Sequence, residues 1–181
     1  ISDGRVPAVT VFDWDDVLCP TTFVGLLRAG KSLEKRHLRL VEAGVVDCVK
    51  AALRHGPVVI VTNADERWVR ASTELFLQKA ACILAEVEIV SARERFEGHF
   101  PRQPACWKIA AISYVANCHF KPHESCLDGA GALVSKAATQ TLTRHHPQVI
   151  AKTVSLVRNP TPEAMHAQLE LLAANFGWIY G

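Results

Sequence analysis

The chain has 181 residues, of which 49% are hydrophobic and 21% charged. That length suits one domain, 1–181, and the apolar share is well above that of disordered chains. No apolar run approaches the ~20 residues that span a bilayer, and a net charge of +2 is too mild to point to nucleic acid. Membrane-spanning, collagen-like and disulfide-stapled classes are therefore set aside, and neither a membrane nor a nucleic acid is an expected partner.

Cysteines stand at 19, 48, 82, 106, 118 and 126, with no C-x-x-C pair. Four lie in apolar stretches that read as buried. A chain this long needs no staples, so they are expected as reduced thiols in an intracellular, reducing compartment, the cytoplasm first and an organelle second. The first residue is Ile1 rather than Met, as in a processed or partial polypeptide, so a targeting segment can lie outside it.

In chain order, Val6–Phe12 is a β-rich run with both faces apolar, as in a central parallel strand, and it ends in Asp13-Trp14-Asp15-Asp16. From Pro20 to Arg54 the pattern is helical, with Leu33, His37, Leu40 and Val41 along one face. Pro57–Thr62 is the second strand. Asn63 or Asp65 can cap the next helix, in which Trp68, Ser72, Leu75, Phe76 and Lys79 share helical spacing. Val87–Ser91 is a third strand. Pro101 and Pro104 lead into a helix with Trp107, Ala111, Tyr114, Val115 and Cys118 on one side. Ser125–Asp128 reads as a fourth strand, Ala132–Arg144 as helix and Thr153–Val157 as a fifth strand. A final helix starts with Thr161 as cap and Pro162 in its first turn, Met165, Leu169 and Leu172 facing inward. The alternation predicts an α/β fold: a three-layer α/β/α Rossmann-like parallel sheet of about five strands.

In such sheets ligands bind beyond the carboxyl ends of the strands. Asp13 and Asp15 stand there, one residue apart, and in an extended stretch they point the same way. Paired carboxylates suit a hard divalent ion, or one attacking while the other moves protons; a solvated acidic turn is the plainer alternative. Thr62 and Asn63 end the second strand, where a hydroxyl and N–H groups can cradle phosphate or simply cap a helix. Lys108 can place a fixed positive charge beside them. Asp128 would add a third carboxylate.

These residues in this order resemble the haloacid dehalogenase superfamily, most of whose members are Mg²⁺-dependent phosphatases. The matching segments are VTVFDWDDVL, VVIVTNA, Lys108 in PACWK, and CLDGAG. FDWDD together with VTNADERWVRAS, SARERFE and PACWK is also similar to a small capless subgroup of protists and algae. The resemblance runs over essentially the whole chain. It implies a fold without a large cap domain and an aspartyl-phosphate intermediate. Asp13 would be the nucleophile and Asp15 the proton carrier, with Lys108 steadying charge and Thr62 and Asn63 binding substrate. Mg²⁺ would be held by Asp13, the Asp15 carbonyl and Asp128.

The chain departs from the superfamily pattern at the last segment. Leu127 replaces the usual glycine, and no second acid follows Asp128. Fewer anionic ligands weaken Mg²⁺ binding, which keeps open an alternative, a weak or inactive pseudoenzyme acting as an interaction subunit of a larger assembly. Its candidate contact surfaces are the basic face Lys31, Lys35, Arg36 and Arg39 and the tail Phe176-Gly-Trp178-Ile-Tyr180. Two other motifs read as structural. Gly129-Ala-Gly131 lacks the third glycine of a dinucleotide loop, and Cys118-His119-x₃-His123-x₂-Cys126 lacks usual zinc spacing.

Overall fold

The computed structural model describes residues 8–28, 35–120, 132–133, 142, 144 and 149–181. Thr10–Phe12 (β1), Val58–Thr62 (β2) and Glu88–Ser91 (β3) form a parallel sheet in the order β1-β2-β3. β2 is wholly buried along its five residues, as expected of a strand apolar on both faces. The register sets Phe12 opposite Ile60 and Thr62 opposite Ser91. Ala132–Leu133 (β4) and Ala151–Lys152 (β5) form a second parallel pair, with β4 lying against β1.

Strand alternation divides the core in two. Phe12, Val58 and Ile60 point into one layer, built by Lys35–Leu53 (α2) and Pro162–Tyr180 (α7). Val9, Val11, Val59, Val61 and Val90 point into the other, covered by Trp107, Ala111, Ile112 and Val115 of Pro104–His119 (α6). Helices thus pack on both faces of the sheet. α2 and α7 approach closely at Gly44, where a Cβ would stand 3.0 Å from His166 Nδ1 and 3.3 Å from Leu169 Cβ. Fully buried side chains such as Met165 and Leu169 each stabilise the fold by about 1.5–3 kcal/mol relative to exposure.

Three helix starts follow the capping rules. Asp65 caps Glu66–Phe76 (α3), accepting from Trp68 N at 2.7 Å. Ser91 caps Ala92–Phe96 (α5), accepting from Glu94 N at 3.2 Å. Thr161 caps α7 through Ala164 N, also at 3.2 Å, with Pro162 in the first turn. Thr21–Arg28 (α1) and the short Ala81–Leu84 (α4) complete the helices named here.

Several expectations need correction. The helical pattern from Pro20 to Arg54 contains two helices, α1 and α2. α3 stops at Phe76 because Leu77 turns out of the helical region, so Lys79 lies beyond it, and Leu75 is 65% exposed. Residues 132 and 133 are strand rather than helix. The fifth strand is Ala151–Lys152, upstream of Thr153–Val157, which forms no ladder. Cys118 is exposed on α6 rather than facing the core.

Of the cysteines described, only Cys19 and Cys48 are buried; Cys82 and Cys118 are exposed and Cys106 half-buried. The reading of four buried cysteines therefore fails, because hydrophobic neighbours in sequence do not fix which side of a helix a thiol occupies. Val6, Lys31, Ser125–Asp128, Gly129–Gly131, His123 and Cys126 lie outside the described residues. No helix among the described residues is long and apolar enough to cross a membrane.

Candidate active site

β1 ends at Phe12, and Trp14, two residues on, is wholly buried. Its indole Nε1–H donates to Ser72 Oγ of α3 at 3.0 Å. This anchor turns the intervening and following residues outward, so Asp13 and Asp15 emerge beside the crevice while Trp14 is held in the core. Asp13 Oδ1 accepts from Trp14 N at 2.9 Å. The Lys108 ammonium of α6 donates to Asp13 Oδ2 in a half-buried ion pair. The strand end and the helix thereby meet at one carboxylate.

The turn after Trp14 is tightly tied. Trp14 O accepts from Val17, Leu18 and Cys19 N, and Asp15 bridges to Cys19. Asp16 takes a left-handed conformation, φ 57°, which a short polar side chain tolerates. Its carboxylate accepts from Thr22 N at 2.9 Å and from the hydroxyls of Thr21 and Thr22 at 3.3 and 2.5 Å. Asp16 is thus consumed in fixing the start of α1. Partial burial, and then the neighbouring Asp13 carboxylate, push Asp15 above the ordinary carboxylate range, only partly offset by hydrogen bonds involving Trp68 and Thr21. Asp15 therefore holds a proton more readily than a free carboxyl does.

Thr62 lies at the carboxyl end of β2, opposite Ser91 of β3, and is wholly buried. Its Oγ1 accepts from Ala64 N at 3.0 Å, and Ser91 Oγ donates to Ala64 O at 2.8 Å. Asn63 Nδ2 donates to Pro104 O at 3.4 Å, tying β2 to the start of α6, while Asn63 Oδ1 is buried with no partner.

An open crevice of about 500 Å³ runs over the sheet ends, and Asp13, Asp15 and Lys108 all line it. Three of the residues expected from the sequence are thus brought together. Neither Thr62 nor Asn63 lines the crevice. Asp128 lies outside the described residues, and β4 begins after it, at Ala132.

The structure adds Arg158, Leu156 and Val157 to the same crevice. They follow the last strand, and the rule that ligands bind beyond the carboxyl ends of strands would have found them. Asp16's role is also legible, in an aspartate followed at helical-entry distance by Thr21-Thr22.

Asp13 and Asp15 offer hard oxygen donors on one crevice, and the mutual repulsion felt by Asp15 suits a divalent cation. Among the described residues no group of three or more His, Cys, Asp or Glu side chains converges to hold a metal. A Mg²⁺ site here would rest on Asp13, the Asp15 carbonyl, water and any ligand from elsewhere in the chain. No family model, curated protein or solved structure matches the chain. The fold and the site define a mixed α/β protein with a parallel sheet and a carboxylate–lysine crevice at its strand ends.

Proposed function

We propose that the protein is a phosphomonoester hydrolase of the haloacid dehalogenase type. The ion pair between Lys108 and Asp13 carries this reading, because it joins the end of β1 to α6 at the residue expected to attack phosphorus. The order in which β4 lies against β1 suits one five-stranded sheet, β3-β2-β1-β4-β5, with the crevice at its centre and no large cap domain over it.

In the proposed reaction an Asp13 carboxylate oxygen bonds to phosphorus as the P–O ester bond breaks. The departing oxygen takes the proton held by Asp15. Asp15 then takes a proton from water, whose oxygen attacks phosphorus and releases Asp13 and inorganic phosphate. Lys108 steadies negative charge on Asp13 and the phosphoryl group. Thr62, wholly buried and absent from the crevice wall, shapes the end of β2 through the bond its hydroxyl accepts from Ala64 N, and the phosphoryl contact expected of it is not part of the proposed step. Asn63 fixes the adjoining turn against α6. Asp13, the Asp15 carbonyl and Asp128 are the residues that would hold Mg²⁺. When bound, that ion neutralises phosphoryl charge as a Lewis acid.

Hydrolysis of p-nitrophenyl phosphate with Mg²⁺ tests this. Asp13→Asn is expected to abolish turnover and Asp15→Asn nearly to do so, since an amide neither attacks phosphorus nor transfers the proton. An Asp13→Asn protein as fast as wild type would exclude the mechanism.

A second reading, a weakly active or inactive interaction subunit, is favoured by the outer face of α7. Leu171 is 68% and Trp178 84% exposed there, beside Val154. Phe176 is buried and Tyr180 packs against the core, so only Trp178 of the aromatic tail is offered to a partner. Micromolar Mg²⁺ affinity by calorimetry would count against this reading.

A further inference from the structure

We infer that Arg158 selects phosphomonoesters whose leaving group carries a second anionic group, a carboxylate or a further phosphate. This rests on the hydrolase reading of the same crevice. Arg158 lines the crevice together with Asp13, Asp15 and Lys108. The charges there are unevenly committed. Lys108 is engaged with Asp13, and the Asp16 carboxylate is taken up by Thr21 and Thr22. Arg158 is exposed and pairs with no carboxylate among the described residues. Among the described residues it is therefore the cation of this crevice left to meet a ligand.

Its backbone is fixed. Just before it, Val157 N donates to Gln168 Oε1 of α7 at 2.6 Å, and Leu156 packs on the core. Just after it, Asn159 takes a left-handed turn, φ 48°, and Pro160 is buried ahead of the Thr161 cap. A long side chain thus springs from a pinned bend at the crevice mouth. A guanidinium presents a planar fork that grips carboxylate or phosphate through two parallel hydrogen bonds. Val154, Leu156 and Val157 give the wall beside it an apolar character, suited to the body of a leaving group. The volume, about 500 Å³, falls within the range of small-molecule sites.

The test compares hydrolysis of phenyl phosphate, 4-carboxyphenyl phosphate and 1,4-phenylene bisphosphate with Mg²⁺. Wild type is expected to show a KM about tenfold lower for the two doubly anionic esters, as a charge-assisted hydrogen bond implies. Arg158→Ala should erase that difference, read as the ratio of KM for phenyl phosphate to KM for each doubly anionic ester within one protein, and Arg158→Lys should recover part of it. A preference for only one of the two esters identifies which anion Arg158 takes. No preference in wild type, or a preference that survives Arg158→Ala, overturns the inference. If wild type hydrolyses none of the three, the hydrolase reading falls, and calorimetric binding of the same esters decides for Arg158. About tenfold tighter binding of a doubly anionic ester, lost in Arg158→Ala, upholds anion selection; equal binding overturns it.

Discussion

Lys108 donates its ammonium proton to Asp13 although 95 residues separate them in sequence. α6 starts at Pro104, so Lys108 stands one turn in, with Trp107 beside it buried in the core. The Trp107 indole N–H also bonds Phe100 O at 2.6 Å. The helix is thus rotationally fixed, and Lys108 faces the end of β1 for that reason. Lys108→Met should lower kcat for p-nitrophenyl phosphate by about 10²–10³-fold, the loss typical of a positioned charge at a developing oxyanion. Far-ultraviolet circular dichroism should stay unchanged. Full activity in Lys108→Met would remove the lysine from the mechanism.

Trp14 holds the two aspartates apart and aimed outward. Trp14→Phe loses the bond to Ser72 and should cost about 1 kcal/mol. Trp14→Ala should cost about 3–5 kcal/mol, since it also opens a cavity in the core. Urea unfolding of the three proteins measures both, and equal costs for the two variants would show that the ring's volume contributes nothing.

Tyr180 ends α7 beneath the sheet, its hydroxyl bonded to Thr10 and its ring stacked on His55 at 5.1 Å. Burial pushes its hydroxyl above the ordinary phenol range, with the Thr10 bond partly opposing. The neutral form is therefore favoured in the folded state. The stability this lends is fully present below pH 10 and is lost as pH rises through the raised value. Tyr180→Phe should be about 1 kcal/mol less stable than wild type at pH 8. The gap should narrow above pH 10, where wild type alone loses this contribution. Urea unfolding at pH 8 and pH 10.5 checks it, and a gap that widens at the higher pH would contradict the assignment.

Burial pushes the thiols of Cys19 and Cys48 up to about 12, with the charge of Asp15 adding to the effect at Cys19. Neither is therefore a nucleophile near neutral pH. Among the described thiols, alkylation of the native protein at pH 8, mapped by mass spectrometry, should label Cys82 and Cys118 first and Cys106 more slowly. Cys19 and Cys48 should react only in denaturant. Labelling of Cys48 at the rate of Cys82 would mean that the α2–α7 layer opens readily.

The strands β1 to β3, the Thr161 cap and the pairing of Asp13 with Asp15 were legible because each is a local matter, and the cap of α3 was narrowed to Asn63 or Asp65. A short apolar run, a capping side chain and a two-residue alternation are written within a few positions. The second half was less legible. β4 and β5 are two residues long, so their pairing depends on neighbours rather than on any periodic run. The thiols were misread for a related reason: an apolar neighbourhood in sequence says nothing of the azimuth of one residue on its helix.

The sequence by itself determined an alternating α/β chain with carboxylates placed at a strand end. Only the tertiary structure decided that Lys108 reaches Asp13, that Thr62 and Asn63 stay off the crevice wall, that the Asp16 carboxylate fixes the start of α1, and that Arg158 joins the site from beyond the last strand. These are contacts across the sheet ends between segments far apart in the chain. They are set by how α6 and α7 pack on opposite faces of the sheet, which depends on side-chain volumes summed over the whole core rather than on any local pattern.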